Sequence, residues 1–447
     1  MFHKVLIANR GEIAVRIIRA CRELGIKTVA IYSEADKDSL HTNLADEKIC
    51  IGPNESKKSY LNIRSIIEAA YLTGADAIHP GFGFLSENDH FAKICEESNI
   101  KFIGPNHEVI HKLGNKSNAK KLAKEVGVPV IPGSSECIKT KEEAYKVASQ
   151  IGYPIILKAA NGGGGKGIRV VYKENELDTA YNLVKTEAQK AFNDQEIYIE
   201  KFIENPRHIE VQIMADEHGN IIHLGERDCT IQRKNQKIIE ESPSSYITDK
   251  VRSKMGEAAK NLAVAAKYTN VGTIEFLVDK DKKFYFMEMN TRLQVEHPIT
   301  EAVTGIDIVK WQLKIANGEK LTISQKDIRI KGHSMECRIN AENPSNNFLP
   351  SPGKIEELHL PGGNGVRVDT HIYGGYFIPP TYDSMIAKII THAENRKECI
   401  AKMKSALGET IIEGIQTNRD FIFDILNNKT FVQGDYSTDF IEKNIKL

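Results

Sequence analysis

Gly272-Thr-Ile-Glu-Phe-Leu-Val-Asp279, Lys280-Asp-Lys-Lys283 and Phe284-Tyr-Phe-Met-Glu-Met-Asn290 follow one another without a break. The outer segments are short and rich in β-branched and aromatic residues. The polar piece between them reads as a four-residue loop, so the stretch predicts a β-hairpin. With Asp279 facing Phe284, Glu275 falls opposite Glu288. Directly opposed side chains in an antiparallel pair have Cβ atoms about 5 Å apart. Two carboxylates at that spacing repel by roughly 3 kcal/mol at an effective dielectric of about 20. Their apolar neighbours add a desolvation cost, and a cation removes the conflict. Asn290 lies two residues past Glu288 and projects from the same face. Two carboxylates and an amide oxygen form a hard, all-oxygen set suited to Mg2+ held against phosphates. Glu275, Glu288 and Asn290 are therefore the candidate metal ligands. In the alternative, the register differs and one glutamate faces solvent.

Upstream, Lys158-Ala-Ala-Asn-Gly162-Gly-Gly-Gly-Lys166-Gly167 lies between the apolar runs Pro154-Ile-Ile-Leu157 and Ile168-Arg-Val-Val171. Consecutive glycines expose backbone N–H groups that can cradle phosphate oxygens. The pattern is not a Walker motif, because Gly rather than Ser or Thr follows Lys166. Its place between two strands, with a lysine on each side, favours a phosphate-binding flap over a flexible linker. Downstream of the hairpin, Thr291-Arg292-Leu-Gln-Val-Glu296-His297 brings Arg, Glu and His close to the candidate metal. Lys237, within Gln232-Arg-Lys-Asn-Gln-Lys237, has a similar standing. Read in isolation, both segments would be solvated. His208 and Glu210 alternate on a strand and can face one cleft, although a lone His is more often structural.

Outward from these motifs the chain divides. Lys4-Val-Leu-Ile-Ala8 reads as a buried parallel strand, followed by a helix with Ile13, Ile17, Ile18 and Cys21 on one face and a second strand at Thr28–Tyr32. A helix over Ile63–Leu72 and a strand at Asp76–His79 continue the βαβ pattern, which predicts a parallel sheet with helices on both faces. The turn Asn9-Arg10-Gly11-Glu12 lacks the dinucleotide fingerprint. A basic helical stretch begins at Gly114, Val128–Gly133 is a Pro/Gly hinge, and Gln325–Lys331 is a hydrophilic linker. These breaks divide the chain into 1–113, 114–330 with a lid at about 131–203, and 331–447.

Composition narrows the class. The 447 residues are 41% hydrophobic and 27% charged, a soluble globular balance. Lys plus Arg and Asp plus Glu are 60 each, which argues against a nucleic-acid or membrane-surface protein. The seven cysteines are scattered and form no CxxC pair, the pattern of free thiols in a reducing compartment. No apolar run approaches about 18 residues, and Met1–Asn9 lacks a small-residue cleavage site. The expected location is the cytoplasm.

Taken together, the residues resemble the biotin carboxylase family within the ATP-grasp superfamily. The resemblance rests on Ala8-Asn-Arg-Gly-Glu-Ile-Ala14, His79-Pro-Gly-Phe-Gly-Phe-Leu-Ser-Glu-Asn88, Lys158 with its glycine loop, Met287-Glu-Met-Asn-Thr-Arg-Leu-Gln-Val-Glu-His-Pro298, Glu336-Cys-Arg-Ile-Asn-Ala-Glu342 and Tyr382-Asp-Ser-Met385, in the family's order over nearly the whole chain. It implies an α/β fold with a Rossmann-like N-terminal domain, an ATP-grasp central domain with a mobile lid, and a mixed α+β C-terminal domain. It further implies that ATP and bicarbonate give carboxyphosphate and ADP, and that the CO2 released is captured by the ureido nitrogen of biotin.

By the same resemblance, Lys116, Lys158, Gly164 and Gly165 contact phosphates. Glu200, Lys201 and Ile203 line the adenine edge with His208 nearby, and Glu275 and Glu288 reach ATP through the metal. Glu275, Glu288 and Asn290 hold Mg2+ or Mn2+, two ions in all. Lys237, Arg292 and Val295 hold bicarbonate, Glu296 is the general base, and Arg338 stabilises the biotin enolate, with Phe82 and Gly83 beside biotin. The catalytic set is thus Lys237, Arg292, Glu296 and Arg338. Flanking cations favour the more negative carbonate, which makes the bicarbonate proton easier to remove.

Two positions depart from the family: Phe82 where Tyr is usual, and Asn235 where His is frequent. A biotinylated domain needs Met-Lys-Met, and the nearest string, Ala401-Lys-Met-Lys404, lies on an amphipathic helix. Biotin is thus expected on a separate biotin carboxyl carrier protein, with carboxyltransferase subunits on further chains, as in the stand-alone subunit of an acetyl-CoA carboxylase that starts fatty-acid synthesis. A homodimer is expected, with Arg16, Arg19 and Glu23 as interface candidates or a solvated face. The alternatives are a two-chain pyruvate or other acyl-CoA carboxylase, another ATP-grasp ligase, or a non-catalytic nucleotide-binding regulator.

Overall fold

The computed structural model describes residues 1–134, 137–159, 167–192 and 196–445, with only the backbone described at 191 and 192. The chain forms two compact units. One comprises Met1–Val128, Arg207–Phe276 and Glu288–Leu447; the other comprises Pro129–Pro206 and Leu277–Met287.

The first unit opens as its sequence predicts. β1 (Lys4–Ile7), β2 (Lys27–Ser33), β3 (Glu47–Gly52), β4 (Ala77–His79) and β5 (Lys101–Phe102) form an all-parallel sheet of order β3-β2-β1-β4-β5. Successive β1 side chains enter different cores. Val5 and Ile7 pack with Ile13 and Ile17 of helix α1 (Gly11–Glu23), whereas Leu6 packs with Ile66 and Ile67 of the helix Ile63–Thr73. A strand covered on both faces has to be apolar throughout, and each such side chain contributes about 1.5–3 kcal/mol on burial. The strand-to-helix turn passes through Gly11 at φ +69°, a backbone region that glycine enters without steric cost. Arg16, expected at an exposed face, is buried. Its guanidinium bonds Glu301 (2.9 Å) and Asp307 (2.7 Å), because α1 lies against another part of the unit there. Arg19 and Glu23 are exposed.

The second unit has its own core. β6 (Ile155–Ala159), β7 (Ile168–Val171) and β8 (Ile197–Lys201) form an antiparallel sheet of order β7-β6-β8. Ile155, Leu157 and Ala159 are buried while Ile156 and Lys158 are not, the alternation of a sheet covered on one face. The helices Lys141–Ile151 and Leu177–Phe192 cover it through Ala144, Ala148, Leu177 and Val184. The Pro/Gly segment bridges Phe286 at Val130 and Glu200 at Gly133. A Cβ on Gly133 would lie 2.5 Å from the Ile199 carbonyl oxygen, so only glycine permits the approach.

An eight-stranded sheet contains β9 (Arg207–Ala215), β10 (Ile221–Arg233), β11 (Gln236–Ser242), β12 (Asn270–Val278), β13 (Phe284–Asn290) and β14 (His333–Asn340). It runs β13-β12-β9-β10-β11-β14 and then takes in the strands Met385–Ala393 and Val366–Thr370. β12 and β13 are the predicted hairpin, but its turn is one residue tighter than expected. Asp279 N–H donates to Lys283 O (2.9 Å) and Lys282 N–H to Asp279 O (3.1 Å), with Lys282 at φ +61°. A left-handed third loop residue closes the strands at Lys283, not at Phe284. Between β10 and β11 a two-residue turn holds Lys234 (φ +49°) and Asn235 (φ +64°), a conformation that asparagine tolerates well.

Ala401-Lys-Met-Lys404 sits within the helix Arg396–Glu409, where Met403 is fully buried in the C-terminal core. Among the described residues no helix is long and apolar enough to cross a membrane. All seven cysteines are free thiols.

Candidate active site

Alternation along β9 puts His208, Glu210 and Gln212 on one face, all of them buried. Arg227 of β10 stands directly opposite Glu210. Its guanidinium donates to Glu210 Oε1 (2.6 Å), Gln212 Oε1 (2.6 Å), Thr273 Oγ1 (3.1 Å) and Thr300 Oγ1 (3.0 Å). The other Glu210 oxygen accepts from Lys237 Nζ (2.7 Å), which also reaches Glu275 Oε1 (3.2 Å) and Glu296 Oε1 (2.7 Å). One ammonium thus serves three buried carboxylates. Burial alone would lower the Lys237 pKa, but Glu210, Glu275 and Glu296 hold it well above the ordinary value. Burial alone would raise that of Glu296, but Lys237, Arg338 and Arg227 hold it well below the carboxylate range. Glu210 goes the other way, pushed up by burial and by the charge of Glu296.

The candidate metal ligands continue this network. Glu275 Oε1 accepts from Asn290 Nδ2 (2.8 Å) and Gln294 Nε2 (3.1 Å), and Asn290 Oδ1 accepts from Arg292 Nη2 (3.1 Å). Burial works to raise the Glu275 pKa, but Lys237 and His208 hold it well below the usual range. His208 Nε2 lies 3.0 Å from Glu275 Oε2, and its Nδ1 lies 2.7 Å from Gln232 Nε2. Glu288 pairs with Lys116 Nζ at 2.9 Å. Glu288 and Asn290 project from the same side of β13 by the strand period, and Asn290 touches Glu275. All three candidates are oxygen donors, and Glu275 and Glu288 already sit against ammonium groups. That donor set fits a hard divalent cation. Among the described residues two other groups of donors have ligand atoms within 4.8 Å of one another, His208 with Glu210 and Glu275, and Glu210 with Cys229 and Glu296.

Arg338 joins Glu296 to a further acid. Its guanidinium donates to Glu296 Oε2 (2.9 Å) and Glu240 Oε1 (2.6 Å). Across the β11–β14 pairing Glu240 faces Glu336 directly, and both are fully buried. Burial pushes the Glu240 carboxyl up to about 7 in spite of Arg338, and holds the Glu336 carboxyl well above the ordinary range as well. Arg292 is anchored at Glu87 Oε2 (2.8 Å), which lies at the end of the loop carrying Phe82 and Gly83. The Phe82 carbonyl accepts from Asn9 Nδ2 (2.7 Å), and Gly83 adopts φ +69°.

Residues 1–110 match the biotin carboxylase N-terminal domain, 115–324 the carbamoyl-phosphate synthase L chain ATP-binding domain, and 336–443 the biotin carboxylase C-terminal domain. Biotin carboxylase 1 of Bacillus subtilis is 56% identical over 99% of this chain and 98% of its own. The chain belongs to the biotin carboxylase family. It is an enzyme of the ATP-dependent ligase class. Biotin carboxylase from Campylobacter jejuni, solved as a β,γ-ATP complex, is 51% identical with TM-score 0.94 and covers 99% of each chain. The biotin carboxylase domain dimer of Hydrogenobacter thermophilus 2-oxoglutarate carboxylase, solved with MgADP, ADP and bicarbonate, is 49% identical with TM-score 0.91, over 99% of this chain and 98% of that one. The α/β fold expected from the resemblance is that of these biotin carboxylases.

The remaining sequence candidates of this biotin carboxylase family member lie in the second unit. Lys158 Nζ pairs with Glu200 Oε2 at 2.7 Å. The Lys201 ammonium donates to the carbonyls of Gly152 (3.1 Å) and Tyr153 (2.7 Å), and Ile203 is half-buried. Gly164, Gly165 and Lys166 lie outside the described residues. His208, Lys237, Glu275, Asn290, Arg292, Glu296 and Arg338 are brought into one bonded network. Sequence reasoning missed Arg227, Glu240 and Gln294 and gave Glu210 no role. For Glu210 and Glu240 the available signal was an acid beside β-branched residues in a strand; Arg227, between Glu226 and Asp228, and Gln294, after β13, offered none of that kind.

Proposed function

We propose that this chain carboxylates the biotin of a separate carrier protein with bicarbonate and Mg-ATP. The observation that carries the proposal is the Lys237 centre, where an ionised, buried Glu296 shares one ammonium with Glu210 and Glu275 and one guanidinium, Arg338, with Glu240. Bicarbonate held by Lys237, Arg292 and Val295 would present its hydroxyl to Glu296. The two cations favour carbonate over bicarbonate, so even a carboxylate of low basicity can take that proton. Carbonate oxygen then attacks the γ-phosphorus of ATP, ADP leaves, and carboxyphosphate forms. Its C–O bond breaks to give CO2 and phosphate; the released phosphate takes the ureido N–H proton, Arg338 turns its charge to the ureido oxygen, and the deprotonated nitrogen adds to CO2. Glu275, Glu288 and Asn290 would hold a divalent cation, which supplies charge neutralisation at the transferring phosphoryl group. Lys116 and Lys158 would contact the phosphates with Gly164 and Gly165. Glu200, Lys201, Ile203 and His208 would border the adenine, and Phe82 and Gly83 biotin.

The test is transfer of labelled bicarbonate to free biotin with Mg-ATP. Label in biotin that requires every component supports the proposal. ATP hydrolysis indifferent to bicarbonate and biotin refutes it.

We further infer an acetyl-CoA carboxylase role in fatty-acid synthesis, with a biotin carboxyl carrier protein and carboxyltransferase subunits on other chains and a cytoplasmic location. The Bacillus subtilis relative, named as a biotin carboxylase, supports the biotin half-reaction on which this reading builds. The similarity to a 2-oxoglutarate carboxylase domain favours a second one, in which the acceptor is a keto acid. Supplying each acceptor with its carboxyltransferase separates the two. A homodimer is supported by the dimeric Hydrogenobacter domain and by exposed Arg19 and Glu23, which rim a cleft of about 550 Å³ with Glu301 and Arg367. Sedimentation velocity tests it. The division at 113/114 and 330/331 is supported by the ends of the three family matches.

A further inference from the structure

Lys388 takes no part in the chemistry above, yet it is fully buried behind the site. It lies on the strand Met385–Ala393, directly across from Arg338. Its Nζ donates to the Val295 carbonyl at 2.8 Å and lies 3.0 Å from Glu12 Oε1 and 4.0 Å from Asp369 Oδ2. Glu12 comes from the first turn of α1, and Asp369 is fixed by Arg367 through Nε (2.9 Å) and Nη2 (2.7 Å). Burial would lower the Lys388 pKa, but Glu12, Glu336 and Asp369 hold it above its ordinary value.

An ammonium taken out of water costs several kcal/mol unless well paired. Here it is spent partly on one carbonyl, that of the peptide joining Val295 to Glu296. The segment Thr291–Glu296 lies between β13 and the helix His297–Thr304 and belongs to neither. Among the described residues no backbone group bonds the Val295 carbonyl, so its anchor is this side chain. Rotation of that peptide would carry the Glu296 carboxylate away from Lys237 and Arg338.

We propose that Lys388 is a positioning residue for the carboxylation site. By holding the Val295 carbonyl it sets where the Glu296 carboxylate and the bicarbonate-facing Val295 backbone stand. Glu12 and Asp369 are the counter-ions that keep it charged. The inference rests on the function proposed above and assigns that site a support outside its reacting groups.

The experiment compares wild type, Lys388→Arg and the charge-balanced pair Glu12→Gln/Lys388→Met. Bicarbonate-dependent ATP hydrolysis gives KM for bicarbonate and kcat, and calorimetry gives Kd for Mg-ATP. A positioning role raises KM for bicarbonate by about tenfold or more, with nucleotide Kd within about twofold. Should the pair fail to fold, Lys388→Arg decides, because it keeps the charge and alters only the reach to Val295. Wild type without bicarbonate dependence would refute the functional reading. Wild type with it, and folded variants whose KM for bicarbonate stays within about twofold, would refute the role of Lys388.

Discussion

Three carboxylates share the Lys237 ammonium, so Lys237→Gln would leave Glu210, Glu275 and Glu296 as neighbouring buried acids with less to neutralise them. Bicarbonate-dependent ATP hydrolysis should fall by about 10²-fold or more in steady-state assays. Glu296→Gln keeps the shape and removes the base. Carboxylation of biotin should disappear while calorimetry finds Mg-ATP affinity nearly intact; lost nucleotide binding would reassign Glu296. Burial pushes the Glu240 carboxyl from the ordinary 4.5 up to about 7 in the fold. The native state therefore binds more protons than the unfolded chain between those values, and stability from this group falls as pH rises through that window. Relative to Glu240→Gln, wild type should lose up to about 3 kcal/mol of unfolding free energy between pH 4.5 and 7 in urea titrations.

The strands hold these residues in register, and Arg227 fastens three strands and a helix through Glu210, Gln212, Thr273 and Thr300. Arg227→Met strands a buried carboxylate and should cost about 3–5 kcal/mol in denaturant unfolding. Lys282→Gly, at the left-handed position of the hairpin turn, should gain about 1 kcal/mol without change in activity. Elements set by local pattern were legible beforehand. β1 is apolar from Val5 to Ile7, α1 repeats Ile13, Ile17 and Cys21, and both hairpin arms are rich in aromatic and β-branched residues. The turn was misjudged by one residue because a left-handed lysine carries no sequence signal. Glu240 opposite Glu336, and Lys388 under Val295, depend on strand pairings between distant stretches. Alternation in a single strand states only that two faces exist, not which one meets another acid.

At the scale of the molecule, two units each have their own core. A ligand that binds only the folded state at 100 times its Kd adds about 2.7 kcal/mol to unfolding. A non-hydrolysable ATP analogue with Mg2+ should reach that in denaturant titrations, and EDTA should remove most of it if Glu275, Glu288 and Asn290 hold the cation. The thiols give the same arrangement a practical use. Cys21, Cys95, Cys229, Cys337 and Cys399 are sealed inside the first unit, whereas Cys50 is open to solvent there and Cys137 is half-open in the second. A thiol-reactive dye pair would therefore place one fluorophore on each unit of the unmutated protein, making energy transfer a direct ruler of any opening or closing during turnover.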